Sequence, residues 1–487
     1  MQAKQSWCNG CPVRLNFIRA AAAAGTSGVL SMSEFSKMSV ADLSRELGRK
    51  AFSPTDLLRD VLERYEKLEP QLNMFAYFDR EGALAQAEAS ERRIMRGEKL
   101  GELDGIPTSV KDLIAVKNMP MRFGSRSSSA DPVAIDAPAV ERLRAAGAVI
   151  LGKSTTSEFG CKAVGDSPLS GVTRNPLDPN LTPGGSSAGA AAMVAAGLVP
   201  YAIGTDGGGS IRIPAALTRI FGIKAQFGRV PVYPVSATPT LAHVGPLTRS
   251  PKDAATVLGV ISGFDRRDPF STRENVPDFN NAVAQERNLR IAWSPTMGFG
   301  RVDSDVAVCT AAAVARLERL GYNIEQVDVF DADPIEMWTS EFYAGVGTRL
   351  RGIIDVQPEL LDPAVLKVLR QALQQEMKSY YESVFARYAF REKMRQVFDK
   401  FDILLTPTLP VSGVEVGRDV PEGYEDRSIV SWATFTYPFN LTGNPAASMP
   451  VGLTSKGRPA ALQVVGATFD EASIFSLCGA IQREGMS

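Results

Sequence analysis

The chain has 487 residues, with 53 Lys+Arg against 54 Asp+Glu and a formal charge of −1 at pH 7. That balance excludes the broad basic face a nucleic-acid partner needs, and 44% hydrophobic with 22% charged residues is the composition of a soluble globular protein. The one histidine, His243, rules out multi-histidine zinc and facial iron sites and leaves any imidazole catalysis to a single residue.

Residues 1–31 read as a dispensable leader: Leu15–Ile18 is too short an apolar run for a secretory signal, and Met32 offers an alternative start. Cys8 and Cys11 form a C-x-x-C pair without a second pair or a nearby histidine, so no zinc site is expected there. Five scattered cysteines make no disulfide framework, and a reducing, cytoplasmic setting follows.

Apolar residues at helical spacing predict a helix over Val40–Arg49. Ser53-Pro54-Thr55 predicts an N-cap and first turn leading into Leu57, Leu58, Val61 and Leu62. Arg80–Arg96 is a third helical stretch. From about residue 105 the rhythm becomes strand–helix: strand Pro107–Val110, helix Ala137–Ala146, strand Ala148–Leu151, helix Ala188–Ala196, strand Leu198–Ile203, helix Ser210–Ile220, strand Phe221–Ala225. The uncharged run Leu181–Thr205 is long enough for a membrane span, but its two prolines and five glycines make it a buried loop, helix and strand instead. Residues 335–400 read as helix. Strands follow at Ile403–Leu405 and near Ala447–Val451 and Leu462–Val465, then a helix over Glu471–Gln482. The alternation predicts an α/β fold, a large mixed central sheet covered by helices on both faces. No composition break appears after residue 40, so a single domain over 32–487 is expected, with a helical part at about 36–100, a core at about 105–260 and a helical insertion at about 335–400.

Two glycine-serine loops stand out, Pro183-Gly184-Gly185-Ser186-Ser187-Ala188-Gly189 and Gly204-Thr205-Asp206-Gly207-Gly208-Gly209-Ser210-Ile211-Arg212. Each leads from serine into a helical pattern, and consecutive N–H groups in such loops can converge on an anion. Alone they leave three readings open: flexible turns, a phosphate cradle lacking the GK[ST] ending of a P-loop, or an oxyanion hole beside a serine nucleophile. Lys111 ends an apolar strand pattern within Gly105-Ile106-Pro107-Thr108-Ser109-Val110-Lys111-Asp112, where most lysines would be surface charges.

Together these strings resemble the amidase signature family, the Ser-cisSer-Lys hydrolases. The resemblance runs from about residue 36 to the C-terminus and includes the segments 137–153, 245–249 and 438–448. It implies Ser210 as nucleophile, Ser186 as bridging serine held by a cis Gly185–Ser186 peptide, and Lys111 as base. It further implies Gly207, Gly208 and Gly209 as the oxyanion hole, and Ser187, Asp206 and Arg212 as bracing residues. Gly160 and Cys161 fall at the acyl side of the family's site, where a glycine leaves room for a bulky or aromatic substrate. No metal and no cofactor is implied. Two departures stand out: Ala188-Gly189 where Gly-Gly is commoner, and Ala242 where many members carry aspartate.

The resemblance leaves several substrate classes. A small-molecule aryl or bulky amide comes first and a carbamate (urethane) or urea second. A glutaminase-type or non-catalytic subunit of an amidotransferase is the reading from another class. Residues 340–360 lack the arginine-rich R-R-I-x-x-G-T stretch expected of an amidotransferase subunit, which favours a free-standing hydrolase. No nucleic-acid or membrane partner is expected, and the chain is read as a monomer or homodimer. His243 is the rival base, expected to be a structural bystander.

Overall fold

The computed structural model describes residues 34–486; the leader, Cys8, Cys11 and Met32 lie outside them. Capping chemistry sets the first helices. Ser39 and Ser53 each accept from the N–H three residues on, while Asp42 and Asp56 reach back, closing capping boxes on Val40–Gly48 and Pro54–Leu72. Asp79 caps Arg80–Arg96, which ends at left-handed Gly97.

Among the described residues eleven strands form one mixed sheet, in the order Phe75–Phe78, Val149–Ser154, Pro107–Lys111, Tyr201–Asp206, His243–Thr248, Phe221–Lys224, Ala446–Leu453, Pro459–Gly466, Ile403–Pro407, Arg290–Trp293, Asn323–Gln326. Pro107–Lys111 runs parallel to both of its neighbours, so three strands bring their carboxyl ends to one edge. That is where open α/β sheets bind ligands. His243–Thr248 is antiparallel to Tyr201–Asp206, with His243 opposite Asp206.

Alternate residues of each strand enter different cores. Ile150 and Ile203 join a cluster with helices Pro138–Ala145, Pro251–Ile261 and Glu471–Arg483, whereas Val149, Leu151 and Ala202 join one with Pro54–Leu72 and Ala188–Ala195. In the other half of the sheet Leu404 and Val465 face a third cluster built by the helices Ile335–Arg349, Pro363–Ala372 and Met377–Lys400. The sheet is thus covered on both faces. The uncharged run is accommodated as expected: Ala188–Val194 is wholly buried. Among the described residues no helix is long and apolar enough to cross a membrane.

Two expected elements are displaced. The strand expected from Leu198 starts at Tyr201, because Gly197 and Pro200 hold the chain in a turn. The helix expected from Ser210 starts at Arg212, because the preceding N–H groups serve Asp206 instead of a helix. Strands Phe75–Phe78, His243–Thr248, Arg290–Trp293 and Asn323–Gln326 carry no sequence signal strong enough to predict them; three have only four residues.

Candidate active site

Lys111 is the last residue of its strand and is fully buried. Its Nζ lies 2.6 Å from Ser186 Oγ and 2.9 Å from Thr205 Oγ1. Among the described residues it forms no ion pair. Burial therefore pushes the ammonium well below the usual lysine range, against a smaller opposing pull from Asp206. The sequence neighbour Asp112 does not supply a counter-charge. Strand alternation sends it to the other side, where Lys153 Nζ holds it at 3.0 Å.

Ser186 follows a cis Gly185–Ser186 peptide. The next residue, Ser187, ties the two glycine loops together. Its N–H donates to the Ser210 carbonyl at 3.2 Å, and its hydroxyl both donates to Thr205 O and accepts from Thr205 N–H. Ser210 is half-buried and lines the same cavity as Ser186, Thr205 and Gly207.

Asp206 organises the second loop. Its carboxylate accepts from the N–H groups of Gly209 (2.8 Å) and Ile211 (3.2 Å) and pairs with Arg212 through Nε (3.0 Å) and Nη2 (2.8 Å). Burial pushes this carboxyl upward, but the Arg212 charge and hydrogen bonds outweigh it and hold it below the usual range. Arg212 in turn donates to Thr436 O, Gln463 Oε1 and Asn440 Oδ1. One consequence separates the three glycines. The Gly209 N–H is committed to Asp206, whereas the N–H groups of Gly207, Gly208 and Ser210 have no acceptor among the described residues.

The cavity holds about 360 Å³. Leu113, Met121, Phe123 and Phe159 line it on one side, and Val232, Tyr233, Phe342 and Leu350 are among the residues closing it. Among the described residues Arg349 is its one charged lining residue, and no carboxylate faces it. Gly160 also lines it, with φ +74°; a Cβ there would stand 3.2 Å from Ser186 Oγ and 3.0 Å from Leu113 Cδ1. The room this glycine leaves is therefore room beside Ser186. Cys161 does not line the cavity. The turn at Gly160 sends its side chain into the core of the helical half, and its carbonyl accepts from Tyr343 Oη at 3.1 Å.

His243 is buried with both ring nitrogens engaged. Nδ1 donates to Leu241 O at 2.8 Å, and Nε2 accepts from Lys224 Nζ at 3.3 Å. Burial first, and then the Lys224 charge, push its pKa well below the usual histidine range. Among the described residues no group of three or more His, Cys, Asp or Glu side chains could hold a metal ion.

Sequence reading missed Thr205, Thr436, Asn440, Gln463 and Trp338, whose indole N–H donates to Gly207 O at 2.8 Å. Thr205 and Asn440 sit inside strings already singled out. The other three come from segments that carry no recognisable motif.

The amidase family model matches residues 56–475. The acylamidase of Rhodococcus erythropolis is 33% identical over 440 residues, covering 88% of this chain and 91% of that protein. A glutamyl-tRNA(Gln) amidotransferase subunit from Chloroflexus aurantiacus is 32% identical, covering 93% of this chain and 97% of that one. A bacterial aryl acylamidase of the amidase signature family superposes with a TM-score of 0.86 at 29% identity, over 92% of this chain and 96% of that chain. This chain therefore belongs to the amidase family and is an amide-hydrolysing enzyme.

Proposed function

We propose that the enzyme cleaves the C–N bond of a small aryl or otherwise bulky amide through a Ser210 acyl-enzyme, with Ser186 and neutral Lys111 as the proton relay. The observation that carries this is Lys111 itself: fully buried, without a carboxylate partner among the described residues, and 2.6 Å from a serine that opens on an apolar cavity shared with Ser210.

A serine hydroxyl at its ordinary pKa is a poor nucleophile and needs a base. A lysine at its ordinary pKa of about 10.4 is almost wholly protonated at neutral pH. Desolvation makes the free amine available. An N–H of that amine can donate to Thr205 Oγ1 while its lone pair accepts the Ser186 proton. Ser186 takes the proton of Ser210, and Ser210 Oγ attacks the amide carbon. Electron density moves onto the carbonyl oxygen, where the free N–H groups of Gly207, Gly208 and Ser210 are the available donors. The relay then returns the proton to the leaving amine as the C–N bond breaks, and water hydrolyses the ester. The same steps on a carbamate would expel the amine and leave a carbonate ester on Ser210, whose hydrolysis gives a carbonic acid half-ester that loses carbon dioxide, so carbamates are the second substrate class. No metal or organic cofactor enters these steps. Dispersed cysteines, with Cys161 and Cys478 buried as free thiols, support a cytoplasmic setting.

A glutaminase role in an amidotransferase is favoured by the likeness to amidotransferase subunits such as the Chloroflexus protein. A cavity with no carboxylate among its described lining residues offers the ammonium of glutamine no counter-charge. Hydrolysis by the isolated chain of p-nitroanilides, aryl carbamates, primary aliphatic amides and glutamine separates these readings. Turnover of anilides above glutamine is the expected result, and turnover of glutamine alone would overturn it.

A further inference from the structure

The helical segment Ile335–Arg349 lies far along the chain from both glycine loops, yet it roofs the second one. Trp338, almost fully buried, donates its indole N–H to Gly207 O at 2.8 Å. The same ring lies so close to Gly208 that a Cβ there would stand 2.6 Å from it, and one on Gly207 would stand 2.8 Å from Phe342. Trp338 and Phe342 stack with ring centres 4.3 Å apart and planes 18° off parallel. Thr436 Oγ1 donates to Gly208 O at 2.6 Å. The carbonyls on both sides of the Gly208 Cα are thus held by side chains remote in sequence.

A trans peptide is planar, with its N–H opposed to its C=O. Fixing the Gly207 carbonyl on the indole therefore fixes the direction of the Gly208 N–H, which has no acceptor of its own among the described residues. Accepting a hydrogen bond at the carbonyl also polarises that peptide and strengthens its N–H as a donor. Three consecutive glycines have no side chains to hold such an orientation, so it must come from outside the loop.

We propose that Trp338 is a positioning residue for catalysis: it locks the Gly207–Gly208 peptide so that its N–H serves the developing oxyanion, and Phe342, stacked on it at the cavity wall, lets bulky substrates tighten that lock. This rests on the reading of Ser210 as the acylated serine. It makes the helical insertion a working part of the oxyanion site. It also links preference for large substrates to rate as well as to binding.

The variant Trp338→Phe keeps an aromatic ring against Phe342 but lacks the donor. With a p-nitroanilide substrate its kcat should fall about tenfold to a hundredfold, the scale of a weakened oxyanion donor, with KM nearly unchanged. Affinity for a trifluoromethyl ketone, which presents a tetrahedral oxyanion, should fall by the same factor, while affinity for the carboxylic acid product stays. Thr436→Val, which loosens the Gly208–Gly209 peptide whose N–H serves Asp206, is the control and should lose less kcat and ketone affinity than Trp338→Phe. Phe342→Leu should lower kcat more for bulky anilides than for a primary aliphatic amide. Unaltered kcat and ketone affinity in Trp338→Phe, with a thermal melt matching the parent, would overturn the proposal. So would equal losses of ketone and product affinity. Ser210→Ala, measured alongside, separates the two levels: if it retains activity, the acyl-enzyme reading fails before the positioning role is at issue.

Discussion

Two buried lysines on neighbouring parallel strands meet opposite fates. Lys153 and Lys111 are both fully buried, and burial lowers both ammonium pKa values. Lys153 is given Asp112 at 3.0 Å and is part of an ion pair; Lys111 is given two hydroxyls. The ion pair uses charge to hold Asp112, whose carboxylate also accepts from Arg122 N–H, and so braces the loop beyond the strand. The hydroxyl pair leaves the amine with a lone pair and a serine to act on. Equal burial thus yields an ion pair in one place and, in the proposed mechanism, a base in the other, and the partner decides which. The Asp206–Arg212 network, which begins at the residue after Thr205, repeats the structural solution, with the guanidinium matched to acceptors on several sides.

Exchanging the two behaviours gives the sharpest tests. Lys111→Met should lower kcat by about a thousandfold or more, the upper range of a lost general base. It should unfold at the parent's temperature or above it. The sign follows from linkage. Between the depressed folded pKa and the unfolded value near 10.4, the unfolded chain binds the extra proton, so Lys111 costs stability there and the loss shrinks as pH rises. Thr205→Asp would give Lys111 the partner that Lys153 has. An adjacent carboxylate raises such a pKa by about one to three units, so activity at neutral pH should fall by about tenfold to a thousandfold and recover in alkaline buffer. A pH–rate profile of kcat/KM for the two proteins checks it; an unmoved profile would break the comparison.

Lys153→Met should do the reverse of Lys111→Met. It leaves Asp112 buried without its cation, at a cost of about 3–5 kcal/mol in denaturant unfolding, with most of kcat retained once folded. The smallest effect belongs to Glu158, an acid placed as Lys111 is: burial raises its carboxyl to about 7. Between the ordinary carboxylate range and pH 7 the folded chain holds the extra proton, so stability drains away as pH rises through that window. Glu158→Gln, still able to accept from the Asp362 N–H, should flatten this part of the Tm–pH curve.

How much of this could be read from the residues alone divides along the same line. Short-range signals were legible: the Ser53-Pro54 cap, the Arg80–Arg96 helix and the Pro107 strand depend on neighbours within a few positions. So were the two glycine loops and Lys111, because their motifs are dense and ordered. What stayed hidden depends on contacts across the sheet. Asn440, Gln463, Thr436 and Trp338 converge on the Asp206–Arg212 loop from more than a hundred positions away, and nothing local marks them. The commitment of Gly209 N–H to Asp206 is hidden for another reason, since three glycines in a row look alike until backbone direction is known. Cys161 shows the same limit. Adjacent to Gly160 in sequence, it turns away from the cavity because Gly160 adopts a left-handed conformation.

An uncharged Lys111, acting through Ser186, is what makes Ser210 nucleophilic in this scheme. The most direct test is the pH-dependent rate at which a fluorophosphonate labels the protein, with the adduct mapped by peptide mass. A single adduct on Ser210 is expected, forming faster as pH rises and Lys111 loses its proton. That adduct should be lost in Lys111→Met and form at a near-parental rate in His243→Ala. Labelling that survives in Lys111→Met and disappears in His243→Ala would contradict the lysine relay.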